Sequence, residues 1–297
     1  MKRQTASFLM QRFEAAGIRP DARRGQNFLI DLNLVELLAR SARLTRDDVV
    51  LEVGTGTGSL TSLLAASAGH VVTVEVDRRL HELAQETLGE FSNITFLRQD
   101  VLKNKNQIDP GVRAYLAELL EASPGRRFKL VANLPYNIAT PILSNLLAAP
   151  PHPELMVATI QKELADRIVA RPRTKDYGAL SIWMQSQCDV EIVRILPPTV
   201  FWPRPKVHSA IVRIRPVEAK WKRISDRAFF QETVRALFFH RRKFLRSVTQ
   251  SAFKGRLSKV EVDALLAECG LRGDERAEQL TVEQMIEFCE TARRRLS

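Results

Sequence analysis

Two short segments carry residue types and spacing suited to chemistry. The first is Glu52-Val53-Gly54-Thr55-Gly56-Thr57-Gly58, which follows an apolar run and leads into a helical pattern. Alternating glycines let the backbone turn tightly and approach a ligand closely. Glu75 ends the next apolar run about twenty residues later, where a carboxylate can accept hydrogen bonds from ribose hydroxyls. Two kinds of cofactor fit this layout. A dinucleotide wants G-x-G-x-x-G, with its pyrophosphate on the helix N-terminus. Here the spacing is G-x-G-x-G with the acid Glu52 ahead of it. That pattern is usual for S-adenosylmethionine, whose amino-acid end carries an ammonium and favours an acid nearby. Asp100 closes the third apolar run, where a carboxylate can accept from the adenine amine of such a cofactor; read alone, it is a solvated strand-end acid.

The second segment, Asn133-Leu134-Pro135-Tyr136, ends the fourth apolar run. Its residue types suit methyl transfer to an exocyclic adenine amine. That nitrogen is a poor nucleophile because its lone pair is shared with the ring. Two acceptors that bind its hydrogens localise the pair, and the Asn133 side-chain carbonyl and Leu134 backbone carbonyl are such acceptors. Pro135 fixes the turn. Tyr136 offers a π-face for the base. No strong general base is needed; positioning does most of the work, with electrostatics second. Away from a glycine loop, the same four residues would read as a buried turn with Tyr136 in the core.

The elements that position these segments follow from short, β-branched-rich runs: Val49-Val53, Val71-Val76, Ile94-Leu97, Lys129-Ala132 and Leu155-Ile160. Helical patterns lie between them. This alternation predicts an α/β fold, a Rossmann-like methyltransferase sheet, mostly parallel, with helices on both sides. Glu191-Leu196 and Ser209-Arg215 are joined by a Pro-rich stretch and predict an antiparallel hairpin at the sheet edge. After Pro216 the pattern is helical, over Phe229-Phe239, Lys259-Glu268 and Val282-Arg295, with Gly270 as a stop. The division expected is a basic, partly mobile segment over 1–24, a methyltransferase domain over 25–218 and a small all-α domain over 219–297.

The 297 residues carry 45 Lys+Arg against 34 Asp+Glu, a formal +11 that points to a polyanionic partner. His240-Arg241-Arg242-Lys243-Phe244-Leu245-Arg246 packs four fixed positive charges together, and Arg167, Arg171, Arg173 and Lys175 form a second group. Both are expected to meet RNA phosphates on either side of the catalytic cleft. Cys188, Cys269 and Cys289 are scattered, which suits packing rather than a disulfide framework or a metal site. No signal-peptide or membrane-spanning run is present, so a cytoplasmic protein without a membrane partner is expected; no long exposed apolar helix face stands out, so a monomer is expected.

From about Gly25 to about Gln284 the sequence resembles the ribosomal RNA adenine dimethyltransferases, and specifically their small-subunit branch. Besides the glycine loop and Asn133 to Pro141, the matching segments are Gly25-Gln26-Asn27-Phe28-Leu29, Glu75-Val76-Asp77 and Gln99-Asp100. Gln161-Lys162-Glu163, Tyr177-Gly178, Pro197-Pro198 through Phe201 to Pro205-Lys206-Val207, Arg241-Arg242-Lys243 and Arg276-Ala277-Glu278 continue the match. The resemblance implies S-adenosylmethionine as cofactor, held by Asn27, Leu29, Gly54, Glu75, Asp100 and Asn133. It implies catalytic roles for Asn133, Leu134, Tyr136 and Phe201, with Phe201 stacking on the target base opposite Tyr136. A flipped adenine needs two such faces to replace its lost stacking. Without the resemblance, Phe201 reads as a core aromatic of the edge hairpin. Departures are Arg24 before Gly25, His208 where Asp is usual, and Phe244-Leu245-Arg246-Ser247 where Thr and Asn are usual.

The implied activity is dimethylation of two adjacent adenines in a hairpin loop near the 3′ end of small-subunit ribosomal RNA, within a pre-ribosomal particle. A large-subunit enzyme of the macrolide-resistance type shares the fold and cofactor segments, but the Pro203-to-Val207 segment and Arg276-Ala277-Glu278 favour the small-subunit branch. A ribosome-assembly factor or transcription cofactor acting by binding alone would not need Asn133 to Tyr136. An NAD-dependent oxidoreductase is disfavoured by the glycine spacing.

Overall fold

Apolar runs buried on both faces must lie inside a sheet, and β2 and β8 below are buried along almost their whole length. The computed structural model describes residues 6–15, 17, 18, 20 and 25–296. In chain order the elements are α1 (Ala6–Ala15), β1 (Phe28–Leu29), α2 (Leu32–Ser41), β2 (Asp48–Val53), α3 (Ser59–Ser67), β3 (His70–Val74), α4 (Arg78–Leu88) and β4 (Ile94–Leu97). Next come β5 (Leu102–Asn104), β6 (Gln107–Ile108), α5 (Pro110–Glu121), β7 (Arg127–Asn133), α6 (Ala139–Ala148), β8 (Leu155–Gln161), α7 (Lys162–Val169) and α8 (Ala179–Gln185). The last are β9 (Cys188–Leu196), β10 (Phe201–Trp202), β11 (Ser209–Pro216), α9 (Glu218–Trp221), α10 (Arg227–Phe238), α11 (Leu245–Ala252), α12 (Lys259–Glu268) and α13 (Val282–Leu296).

Seven strands make one sheet in the order β4-β3-β2-β7-β8-β11-β9. The β4-β3, β3-β2, β2-β7 and β7-β8 pairs are parallel, and β11 runs antiparallel to β8. This is the mixed α/β sheet predicted, with β9 and β11 at one edge. The strand order reverses between β2 and β7, so the loops at their carboxyl ends leave in different directions and open a crevice there. Both chemistry-bearing segments sit on those two loops. Beneath them Val50, Val71, Val131 and Val157 of the sheet pack with Leu38 of α2 and Leu64 of α3 in one apolar cluster.

At the opposite, amino end of β2 and β7 lies a buried charge cluster. Asp48, with no exposed side-chain area, accepts from Lys129 Nζ at 2.9 Å and Arg127 Nε at 3.0 Å. Lys129 Nζ also donates to the carbonyls of Ala42 and Arg43.

The N-terminal segment, read as basic and partly mobile, contains a packed helix. Within α1, Leu9 and Phe13 are fully buried. The Phe13 ring meets Phe28 edge-on at 5.0 Å and Trp202 at 5.3 Å. A short helix carrying two anchors was hidden by the basic residues around it. Residues 1–5, 16, 19 and 21–24, Arg24 among them, lie outside the described residues.

The domain division also differs. The chain forms two compact units, Met1–Ala165 with Glu191–Arg215, and Asp166–Val190 with Pro216–Ser297. Residues 166–190, read as part of the methyltransferase domain, belong to the helical unit. Tyr177 donates its hydroxyl to the Leu280 carbonyl at 2.9 Å, and Trp183 lies 6.5 Å from the ring of Phe230. Those buried aromatics find their partners on α10 and before α13, so chain order alone does not mark the boundary. The three predicted C-terminal helices are present as α10, α12 and α13. Among the described residues no helix is long and apolar enough to cross a membrane.

Candidate active site

The glycine loop leaves β2 and enters α3 with Gly54, Gly56 and Gly58 all at positive φ. Gly56 has a second reason to lack a side chain. A Cβ there would come within 3.2 Å of the Phe28 ring. Gly54 N–H donates to the Val74 carbonyl at 2.9 Å and ties the loop to β3. Glu75, just past β3, is buried and anchored at both oxygens. Oε2 accepts from Gly56 N–H at 3.1 Å and Oε1 from Asp77 N–H at 2.9 Å. Burial pushes its carboxyl above the usual range, and the two N–H donors oppose that shift. Asp77 caps α4, its Oδ1 accepting from Arg79 N–H at 3.0 Å.

Asn133 ends β7. Its Nδ2 donates to the Asn27 backbone carbonyl at 2.9 Å. A carbonyl can only accept, so this bond sets the amide orientation and leaves Oδ1 as the acceptor turned to other partners. Leu134 N–H donates to the Thr159 carbonyl at 3.1 Å. Among the described residues no donor reaches the Leu134 carbonyl. Tyr136 is half-buried, and its hydroxyl is 2.5 Å from Ser209 Oγ, which fixes the ring. Burial raises the phenol above its ordinary range, so it stays neutral.

A strap, Gly25 to Phe28, joins the two segments. Gly25, at φ +67°, presses on the second one so closely that a Cβ would lie 3.1 Å from Tyr136 N. Asn27 holds Asn133, and Phe28 covers Gly56. The strap, the glycine loop and the end of β7 enclose a pocket of about 290 Å³ lined also by Glu75, Val76, Gln99, Asp100 and Val101. That is near the lower end of small-molecule sites, about 300–1,000 Å³. Asp100 sits on its rim, Oδ1 accepting from Leu102 N–H at 2.8 Å.

Of the residues singled out from sequence, Asn27, Gly54, Glu75, Asp100, Asn133 and Leu134 line this pocket. Tyr136, Leu29 and Phe201 do not. Tyr136 lies just beyond the lining, between Pro135 and Asn137. Leu29 and Phe201 lie on the other side of their strands. They face each other across the β1-β10 pair and are 7% and 2% exposed, in the apolar cluster under the sheet. Alternation along β1 and β10 sends them inward. It leaves Phe28 to line the pocket, and Trp202 opposite it. Phe201 packs in that cluster, while Leu29 also lines a smaller cavity behind the glycine loop, beside Gly54, Gly56 and Asn133. Phe28 was missed, although it lies inside the matched segment; a two-residue strand shows no periodicity from which to choose a face.

Glu52 also departs from expectation. It is 1% exposed and bonded to the hydroxyls of Thr61 at 2.6 Å and Thr73 at 2.7 Å. Burial pushes its carboxyl up to about 8, so near neutral pH it keeps its proton. It braces the loop from behind.

The site fits S-adenosylmethionine. Three glycines leave the loop backbone open to the amino-acid end, Glu75 presents a carboxyl held by two backbone donors, and Asp100 also lines the pocket. Among the described residues no group of His, Cys, Asp and Glu could hold a metal ion.

In the helical unit the Arg241 guanidinium is committed within the protein. It pairs with Glu278 and donates to the carbonyls of Lys175 and Thr174 at its two terminal nitrogens. It staples the turn at 171–176 and remains partly exposed. Arg242 and Lys243 are exposed, and among the described residues no ion pair reaches them.

A model of the family described as ribosomal RNA adenine dimethylase matches residues 20–293. The ribosomal RNA small subunit methyltransferase A of Halothermothrix orenii is 39% identical over 263 residues, 88% of this chain and 84% of that protein. That of Ligilactobacillus salivarius is 40% identical over 263 residues, 88% of this chain and 86% of that protein. Among solved structures, a dimethyladenosine transferase from Plasmodium falciparum superposes with a TM-score of 0.75 at 21% identity, covering 89% of this chain and 97% of that one. The 23S rRNA methyltransferase ErmE gives a TM-score of 0.63 at 26% identity, over 89% and 98%.

Proposed function

The chain belongs to the ribosomal RNA adenine dimethylase family, and from that premise we propose that it dimethylates N6 of two adjacent adenines in the 3′-terminal hairpin loop of small-subunit ribosomal RNA. It is an S-adenosylmethionine-dependent methyltransferase. The substrate is taken within a pre-ribosomal particle, in the cytoplasm, by a monomer. The observation that carries this reading is the bond from Asn133 Nδ2 to the Asn27 carbonyl.

With Nδ2 occupied, Asn133 Oδ1 is the acceptor for one hydrogen of the adenine amine, and the Leu134 carbonyl accepts the other. Together they localise the nitrogen lone pair. S-adenosylmethionine supplies an electrophilic sulfonium methyl when bound. Tyr136, its ring fixed through Ser209, gives the base a face to stack on. No residue has to remove a proton before the attack. Catalysis is positioning by a preorganised turn.

The test supplies labelled S-adenosylmethionine with separated small and large subunits that lack the modification. Label on the small subunit, at N6 of two neighbouring adenines, is expected. Label on the large subunit alone would refute the reading in favour of the macrolide-resistance type.

Glu75 carries a separate expectation. Its two oxygens are held by backbone donors and keep lone pairs for ribose hydroxyls. Glu75→Ala is expected to weaken S-adenosylmethionine binding about 10- to 100-fold, the usual worth of a hydrogen bond to a charged group. Calorimetric titration measures it, and an unchanged Kd removes Glu75 from the cofactor site.

A further inference from the structure

Six consecutive residues between α10 and α11, Phe239 to Phe244, are all exposed. Phe239 is 80% exposed and Phe244 is 54% exposed. Single exposed apolar residues are ordinary on a protein surface. These two stand at the ends of one turn, with His240, Arg241, Arg242 and Lys243 between them and no acid among the six.

The turn is not a loose end. Leu237 before it and Leu245 after it are fully buried. Leu245 N–H donates to the Glu275 carbonyl at 2.6 Å, and Arg241 is held by Glu278 and two carbonyls from the middle of the turn. Lys243 N–H closes it on the His240 carbonyl at 2.9 Å. Two large rings are therefore presented to water from an anchored backbone, beside Arg242 and Lys243, which no ion pair among the described residues occupies.

We propose that this turn is an RNA contact in which Phe239 and Phe244 stack on unpaired bases while Arg242 and Lys243 hold the adjoining phosphates. The charge selects a polyanion. The rings select one whose bases have open faces, which a duplex does not offer. The proposal rests on ribosomal RNA being the substrate and adds how the helical unit grips it.

Stacking and phosphate contact differ in their response to salt. Phosphate contact releases counterions, at a slope of about 0.7 per contact on a single strand. Stacking does not. The full-length protein is titrated with a fluorescent single-stranded RNA and with a duplex of the same length at several salt concentrations. Phe239→Ala and Phe244→Ala are each expected to weaken single-strand binding about 10-fold, with the salt slope kept and duplex binding little changed. Arg242→Ala with Lys243→Ala is expected to flatten the slope by about 1.4 on the single strand and about 1.8 on the duplex. Phe239→Leu and Phe244→Leu keep the apolar bulk and lose the π-face, so they should lose as much as the alanine variants. Full single-strand affinity in the leucine variants overturns the proposal and points to an apolar protein partner. Equal loss on the duplex overturns it too, as does binding to anionic phosphatidylserine vesicles that falls while RNA binding holds. S-adenosylmethionine affinity stays constant in every variant. Failure of the substrate reading is seen separately, as label missing from the small subunit while the single-strand effect persists.

Discussion

Asn133→Ala is expected to lower methyl transfer about 100- to 1,000-fold, the usual cost of removing one preorganised polar group from a reacting centre. Cofactor binding should remain measurable, because Glu75 and the glycine loop are untouched. The physical basis is the directional amide. Nδ2 is spent on the Asn27 carbonyl at 2.9 Å, so Oδ1 is presented without reorganisation when the amine arrives. Single-turnover transfer of labelled methyl to small subunits measures the loss. Asn133→Asp separates two contributions. It keeps an acceptor oxygen but loses the donor, and its carboxylate is repelled by the Asn27 carbonyl. Its rate should fall between those of the alanine variant and the unaltered protein. Full activity in Asn133→Ala would sink the mechanism.

Asp48→Ala carries the largest expected effect on stability, about 3–5 kcal/mol. Asp48 is fully buried and takes three donors: Lys129 Nζ at 2.9 Å, Arg127 Nε at 3.0 Å and Thr45 N–H at 2.7 Å. Without it the Lys129 ammonium, itself 4% exposed, keeps only the Ala42 and Arg43 carbonyls. A buried charge with no counter-charge is the costly state, more than the absence of the pair. Lys129→Met should therefore cost less, since Asp48 retains Arg127 and Thr45. The double variant should cost less than the sum of the two. Urea denaturation reads all three, and unchanged stability in Asp48→Ala removes the cluster from the stability account. The cluster lies at the amino ends of β2 and β7, and the pocket at their carboxyl ends. Lys129→Met should thus transfer methyl at the normal rate per folded molecule.

These two expectations differ in how far the sequence alone reaches them. Asn133 was legible as an acceptor because its neighbours in sequence carry the signal: an apolar run, then Asn-Leu-Pro-Tyr. Its orientation was not, since the partner is 106 residues away. Lys129 and Asp48 read only as charged residues inside or beside apolar runs, and nothing local says that two strands place them side by side.

The sequence by itself determined the alternation of strands and helices, the glycine loop with its spacing, the acids at the ends of the second and third parallel strands, and the methyl-transfer segment. Each is written in residues that are neighbours along the chain, where period, turn chemistry and charge act locally. Tertiary structure alone decided which face each element shows. Phe28 rather than Leu29 lines the pocket, and Phe201 packs inward, because β1 and β10 are two residues long and pair only with each other. Glu52 is a buried brace because the fold shuts it from water behind the loop, bonded to Thr61 and Thr73. Residues 166–190 join the helical unit because their aromatics are buried there. Arg241 is a staple because Glu278 reaches it. In every such case the deciding partner is distant in sequence. Which of two faces is buried depends on that partner, and residue type cannot announce it.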